Sequence, residues 1–369
     1  MIRRNLLWAV ALGGAAVLSS CETSTSLKSQ DNTPQPVIGN AQEDDRPGSI
    51  SDAGVFAVAR SKGSDFPIVK PINCTLGQDC FVLLYPDRDP SSGATDFNCG
   101  QLTYDGHKGT DFAIASWTPD TDVPVLASAP GTVQAVRDGV RDHRIASESE
   151  FGTVKGIECG NGVLMDHGNG WTTQYCHLEQ GSVSVQQGDR LEAGDPIGQV
   201  GLSGKTTFPH VHLTVRYQGE VVDPFVGQGS KSGCNVGERS PLWNDANIDY
   251  VSTGLVRAGF ADGSVDMPEL WLDAHRSDRF SNTGPAIVFW TQIYGVQQGD
   301  TEILQLTDPN GRKQVDVNQP IQASKRVYLS YGGKTTRNGP LVKGTWTGRY
   351  RLVRDGKTIV DVTKTSQVE

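Results

Sequence analysis

The chain lacks a hydrophobic run long enough to stay in a membrane as a helix: its N-terminal apolar stretch, residues 6–18, is roughly 13 residues against the ~20 that a span requires. It also lacks sustained helical periodicity, which disfavours both a helical bundle and an α/β fold. Positive charge is in deficit, with 33 Lys and Arg against 42 Asp and Glu and a formal net charge of −9. That balance excludes the basic stripe through which proteins displace counterions from nucleic acid, so no nucleic-acid partner is expected. No Cys-x-x-Cys pair is present, which argues against a zinc ribbon. The helical His-Glu-x-x-His motif is absent as well, and with it that motif's glutamate base.

What is present at the N-terminus points to export. Arg3 and Arg4 form a positive leader ahead of the short apolar run, which ends in Leu18-Ser-Ser-Cys21. This resembles a bacterial lipobox, in which small residues precede a cysteine whose sulfur receives a lipid; a plain signal peptide cut nearby is the alternative. The resemblance implies a signal peptide over 1–20, lipidation of Cys21, and a mature chain held to a membrane by that lipid. The expected location is the cell envelope, on the periplasmic side of a membrane if the envelope is Gram-negative. Removing Cys21 from the seven cysteines leaves an even set: Cys74, Cys80, Cys99, Cys159, Cys176 and Cys234. In an exported protein these are expected to pair, with Cys74–Cys80 and Cys159–Cys176 preferred among the many connectivities; free thiols are the alternative.

Residues 21–66 are rich in Ser, Thr, Gln, Asn, Asp and Pro and poor in large apolar side chains, and read as a flexible tether. From 67 to 234 short apolar runs alternate with glycine, giving expected strands near 129–136, 162–165, 171–175, 195–201 and 211–216. Residues 166–171, Asp-His-Gly-Asn-Gly-Trp, supply a hairpin turn. A second β-rich segment, 245–369, has expected strands near 287–294, 301–306, 326–331, 346–353 and 358–362, and reads as a small β-sandwich of unknown partner. The fold class expected is all-β, an antiparallel-sheet domain followed by that sandwich.

The chemistry concentrates in the first segment. His107 and Asp111 lie four positions apart in a glycine-containing bend that can turn both toward one point. His210 and His212 alternate with Val211 and Leu213, so on a strand both imidazoles share one face while the apolar residues enter the core. One carboxylate plus an imidazole from each segment makes a three-donor set suited to a catalytic zinc with a fourth position open to water. Only one of His210 and His212 need bind metal, and His177 offers a further imidazole for proton transfer.

These residues together resemble the lysostaphin/LytM-type zinc metallopeptidases. The family pattern of His-x-x-x-Asp, Tyr-x-His-Leu, a Gly-Asp-x-Leu-x-x-Gly-x-x-Ile-Gly-x-Val-Gly stretch and Pro-His-x-His appears in order at 107–111, 175–178, 188–201 and 209–212. The resemblance covers about 105–225. It implies that His107, Asp111 and His212 bind zinc, that His177 and His210 assist catalysis, and that the substrates are stem or cross-link peptides of peptidoglycan. Two departures stand out: Cys176 replaces a small residue, and an insertion at 141–156 lengthens a loop bordering the expected groove. His143, His167 and His275 have no partners in the pattern and read as structural or exposed. Trp117 and Trp171 read as packing residues. Two other functions fit the same residues: a catalytically silent scaffold that activates separate cell-wall amidases, and a protease of protein substrates.

Overall fold

The computed structural model describes residues 66–369 except 146, 147, 230, 231, 235, 237, 238, 245–247, 275 and 276, with backbone only at 148, 149 and 151. The expected leader, Cys21, nearly all of the tether and His275 lie outside the described residues. Ten strands build the first part: β1 (Cys80–Leu84), β2 (Thr110–Ile114), β3 (Pro124–Leu126), β4 (Gly131–Arg137), β5 (Asn161–Asp166), β6 (Trp171–Leu178), β7 (Arg190–Leu191), β8 (Pro196–Gln199), β9 (His210–Tyr217) and β10 (Glu220–Val222). All but β3 and β8, which pair with each other, join one antiparallel sheet in the order β1-β2-β9-β6-β5-β4-β7, with β10 added to β9.

The sheet places polar and apolar residues by alternation. On β9, Val211 and Leu213 are fully buried in the main core with Phe112, Met165 and Tyr175. The intervening His210 and His212 therefore project from the other face. β2 and β9 set Asp111 opposite His212 and Ala113 opposite His210, and paired residues in an antiparallel ladder share a face.

The second part is a β-sandwich. Its three-stranded sheet runs β11 (Gly254–Ala261), β13 (Ala286–Val296), β16 (Lys325–Thr335). Its five-stranded sheet runs β12 (Arg279–Phe280), β18 (Lys357–Val368), β17 (Gly344–Arg354), β14 (Thr301–Thr307), β15 (Lys313–Pro320). Phe260, Phe289 and Ile293 from the first sheet meet Leu304, Leu306, Tyr350 and Leu352 from the second in one apolar cluster. The α-helix α1 (Met267–Trp271) starts where the Asp266 side chain accepts from the Glu269 amide, with proline in the first turn, two ordinary helix-start signals.

The second part is docked on the first. Trp271 and Tyr294 belong to the apolar core of the first part, Phe81 stacks on Tyr294 at 5.1 Å, and the Trp117 amide donates to the Trp271 carbonyl at 2.9 Å. Arg326 Nη1 donates to the Thr103 carbonyl at 2.6 Å. The disulfides Cys74–Cys80 and Cys159–Cys176 form as expected, and the third joins Cys99 to Cys234. Among the described residues no helix is long and apolar enough to cross a membrane.

Candidate metal centre

His107, Asp111 and His212 bring one donor atom each to a common point. His107 Nε2 lies 3.1 Å from Asp111 Oδ1 and 3.2 Å from His212 Nδ1, and His212 Nδ1 lies 2.8 Å from Asp111 Oδ1. Zinc bonds of about 2.0–2.1 Å in tetrahedral geometry set donor atoms ~3.3 Å apart, so this triangle is of the right size for one ion. Backbone shape makes it possible. Gly106 takes a φ of +74° to turn His107 inward, and a Cβ at Gly109 would lie 2.5 Å from His212 Nε2 and 2.6 Å from the Leu213 carbonyl.

The hydrogen bonds outside the triangle fix where the protons are. His107 Nδ1 is 2.7 Å from the Tyr85 carbonyl; a carbonyl only accepts, so Nδ1 carries the hydrogen and a neutral ring turns a lone pair at Nε2 toward Asp111 and His212. His212 Nε2 is 2.9 Å from Thr214 Oγ1, which can take that ring's hydrogen and leave Nδ1 as the inward acceptor. Two imidazole lone pairs and a carboxylate oxygen within about 3 Å repel one another, and a cation among them resolves the repulsion. This donor set, with each imidazole oriented by an outer acceptor, fits a metal. Burial raises the Asp111 carboxyl, but the surrounding imidazoles of His107, His210 and His212 outweigh it, holding the carboxylate well below its usual range. Burial works to lower the His107 imidazole too, but Asp111 overcomes it and the net shift is upward.

His177 and His210 complete the cluster. Their rings are 4.7 Å apart. Each donates from Nδ1 to a carbonyl, His177 to Ser203 at 2.8 Å and His210 to Phe208 at 2.9 Å, so each presents Nε2 to the site as an acceptor. Burial drives both imidazoles toward the neutral form, assisted at His177 by the neighbouring His210 and His212 and opposed at His210 by Asp111. His177, His210 and His212 make a second, overlapping trio of potential ligands. The trio containing Asp111 is the better site because it alone supplies a negative charge to offset the ion's desolvation. Cys74, Asp79 and Cys80 also cluster, but both thiols are consumed in a disulfide.

His177 reaches the site by breaking the strand pattern. Cys176 pairs with His212 across β6 and β9, so strict alternation would send His177 to the opposite face. Its φ of +65°, in the left-handed region that residues other than glycine uncommonly occupy, turns the ring back. Hydrogen bonds hold this conformation from both sides, the His177 amide to the Cys159 carbonyl at 2.8 Å and the Gly201 amide to the His177 carbonyl at 3.1 Å. The Cys159–Cys176 bridge closes the same corner.

The structure thus brings His107, Asp111, His177, His210 and His212 into one cluster, buried except at the half-buried His212. His167 stands outside it, bonded to the Pro130 carbonyl and to Thr173 Oγ1 at 2.7 Å each, and His143 is an exposed partner of Glu150. Trp171 is buried and stacks on Phe66, and Trp117 donates from its ring to the Val200 carbonyl. The expected insertion borders a cleft beside the site through Arg144 and Ile145. Thr214 was legible in principle, since it continues the alternation of His210 and His212; the Tyr85, Ser203 and Phe208 carbonyls leave no trace in a sequence.

A three-donor group flanked by two imidazoles is a donor set that could hold a metal ion. Residues 105–224 match the model of peptidase family M23, and the chain carries an M23 peptidase domain of the lysostaphin/LytM type across them. It is 32% identical over 117 residues to the peptidoglycan DD-endopeptidase ShyA of Vibrio cholerae, covering 32% of this chain and 22% of that protein. It is 34% identical over 120 residues to the DD-carboxypeptidase/endopeptidase Mpg of Neisseria meningitidis serogroup B, again covering 32% and 22%. A solved zinc-containing peptidase from Vibrio cholerae aligns with 26% identity over 39% of each chain, at a TM-score of 0.25. The chain spans about a fifth of the length of the two curated relatives.

Proposed function

We propose that this protein is a zinc-dependent endopeptidase that hydrolyses peptide bonds of bacterial cell-wall peptidoglycan. The observation that carries the reading is the convergence of three metal-ligating atoms with two further imidazoles whose acceptor nitrogens face the same point. His107, Asp111 and His212 would hold the zinc ion, which when bound polarises a carbonyl and lowers the pKa of water from ~16 to about 7. The neutral Nε2 of His177 or His210 accepts the proton that leaves the attacking water. The imidazolium so formed stabilises negative charge on the carbonyl oxygen, then returns its proton to the departing amine as the C–N bond breaks. The Ser203 and Phe208 carbonyls keep these rings in the tautomer that the first step needs. Export and a lipid on Cys21 would set this chemistry beside the cell wall.

The test is metal content and digestion of purified sacculi. The expected result is about one zinc per chain and release of soluble muropeptides, both abolished by His107→Ala or His212→Ala. His177→Ala should keep the zinc and lose ~10²–10⁴-fold in kcat. Protein without zinc that still stimulates a cell-wall amidase would establish the scaffold in place of the enzyme, and cleavage of proteins with intact sacculi would redirect the substrate assignment.

A further inference from the structure

Between the two parts of the molecule, beside the catalytic cluster, lies a cleft of about 470 Å³. Two aromatic rings connect it to the site: Tyr104 lies 4.5 Å from the His107 ring, and Phe208 stacks on His210 at 4.3 Å. Phe208 also meets Trp271 of the second part at 5.7 Å. The remaining walls combine Leu83 and Leu84 of β1 with Met267 and Val327. The cleft therefore runs from the catalytic imidazoles onto the β-sandwich.

Its charge is opposite to that of the chain. Three cations line it, Arg144 from the inserted loop and Lys325 and Arg326 from β16, and no Asp or Glu does, in a protein with net charge −9. No described carboxylate pairs with any of the three. Arg144 donates through Nη1 to the Ile145 carbonyl while its Nε has no acceptor. Arg326 is bonded to the Thr103 carbonyl, a neutral acceptor. Lys325 is exposed. Among the described residues these three cations line an apolar cleft to which no carboxylate contributes, a field that favours an anionic ligand.

We infer that this cleft seats the flanking portion of a peptide substrate through its free carboxylate groups, with Lys325, Arg326 and Arg144 as the residues that select them. The inference rests on the endopeptidase reading for the peptide nature of the ligand and extends it by naming what the second part does. The apolar walls accommodate the aliphatic body of an extended peptide, and guanidinium and ammonium groups at the rim match carboxylates beside the scissile bond. Selectivity would thus be divided between an insertion in the first part and one strand of the second.

The test uses the full chain and fluorescein-labelled synthetic stem peptides containing glutamate and a diamino dicarboxylic acid, prepared with free carboxylates or as carboxamides. Anisotropy should show the acid form binding ~10-fold more tightly than the amide at low salt, with the preference fading as salt rises. Lys325→Gln should remove most of that preference without altering affinity for the amide. Arg144→Gln/Lys325→Gln/Arg326→Gln should remove the rest, with circular dichroism unchanged. Equal binding of acid and amide by the unaltered protein, no measurable binding of either, or a preference that survives in both variants overturns the inference. Because anisotropy needs no turnover, carboxylate preference without hydrolysis supports the cleft assignment while counting against the endopeptidase reading. Hydrolysis of acid and amide peptides with equal KM does the reverse.

Discussion

At the scale of single residues, the centre depends as much on what is missing at Gly109 as on its ligands. Any side chain there must displace the His212 ring or the Leu213 backbone, since a Cβ would stand 2.5 Å from one and 2.6 Å from the other. The ring can rotate but the β9 carbonyl is fixed in its ladder, so the strain falls on the ligand. Gly109→Ala is therefore expected to cut zinc occupancy at least ~10-fold in metal analysis while leaving the β-sheet circular dichroism in place. Full zinc content in that variant would show that the 105–111 bend adapts without moving His212. The ligating residue types were legible from spacing because alternation along β9 and the four-residue separation of His107 and Asp111 both express backbone geometry. The left-handed conformation of His177 was not legible, since nothing in Tyr-Cys-His-Leu announces a break in the strand.

Among elements, the corner where β5 begins and β6 ends carries a device that neither strand could supply alone. The Cys159–Cys176 bridge spans 17 positions and sits next to a histidine whose backbone conformation is costly by about 1–3 kcal/mol. Opening it by Cys159→Ala/Cys176→Ala should lower unfolding stability by about 3 kcal/mol, from the entropy of a loop of that length. Because the proposed metal ligands lie on β2, β9 and the bend before β2, zinc content should hold. The freed His177 should cost ~10-fold in kcat with little change in KM, for loss of orientation rather than binding. A double variant with wild-type kcat would show that the backbone hydrogen bonds of His177 suffice. The elements themselves were unequally readable. The strands around the hairpin at 166–171 and the strand bearing His210 stood out by alternation and turn residues. β15 did not, because Lys313–Pro320 is an edge strand with no buried residue and so no pattern of one dry face. β16 extends past the expected 326–331, through Gly332 and Gly333. They lie inside the strand because Val315 and the Ile287 carbonyl approach within 2.8 and 2.6 Å of where their Cβ atoms would be.

For the whole molecule, folding of the first part is closed by contacts distant in sequence, and one of them makes stability respond to pH. Arg88 joins the segment before the site to the strap after β10, through Asp223 at 3.5 Å and the Gly233 carbonyl at 2.9 Å. The Cys99–Cys234 bridge, 135 positions apart, closes the same junction. Asp223 is buried and its contact with Arg88 is long, so burial dominates: the carboxyl is raised to about 6 despite the Phe225 amide and Arg88, which both act to lower it. In the unfolded chain the same group titrates near 4. Between pH about 4 and about 6 the folded protein therefore retains a proton that the unfolded chain has released. The stabilisation from this group is complete below pH about 4 and is lost as pH rises through 6. Between pH 5 and pH 7 the loss amounts to ~1 kcal/mol. Other groups, the histidines of the metal centre among them, titrate over the same range, so the contribution is read as a difference. Urea unfolding of the zinc-loaded protein at pH 5 and 7, compared with Asp223→Asn, should show the variant losing ~1 kcal/mol less than the parent on going to pH 7. Parallel pH dependences would mean that Arg88 holds the Asp223 carboxylate ionised throughout, and that the junction is an ordinary buried ion pair whose strength does not vary with pH in this range.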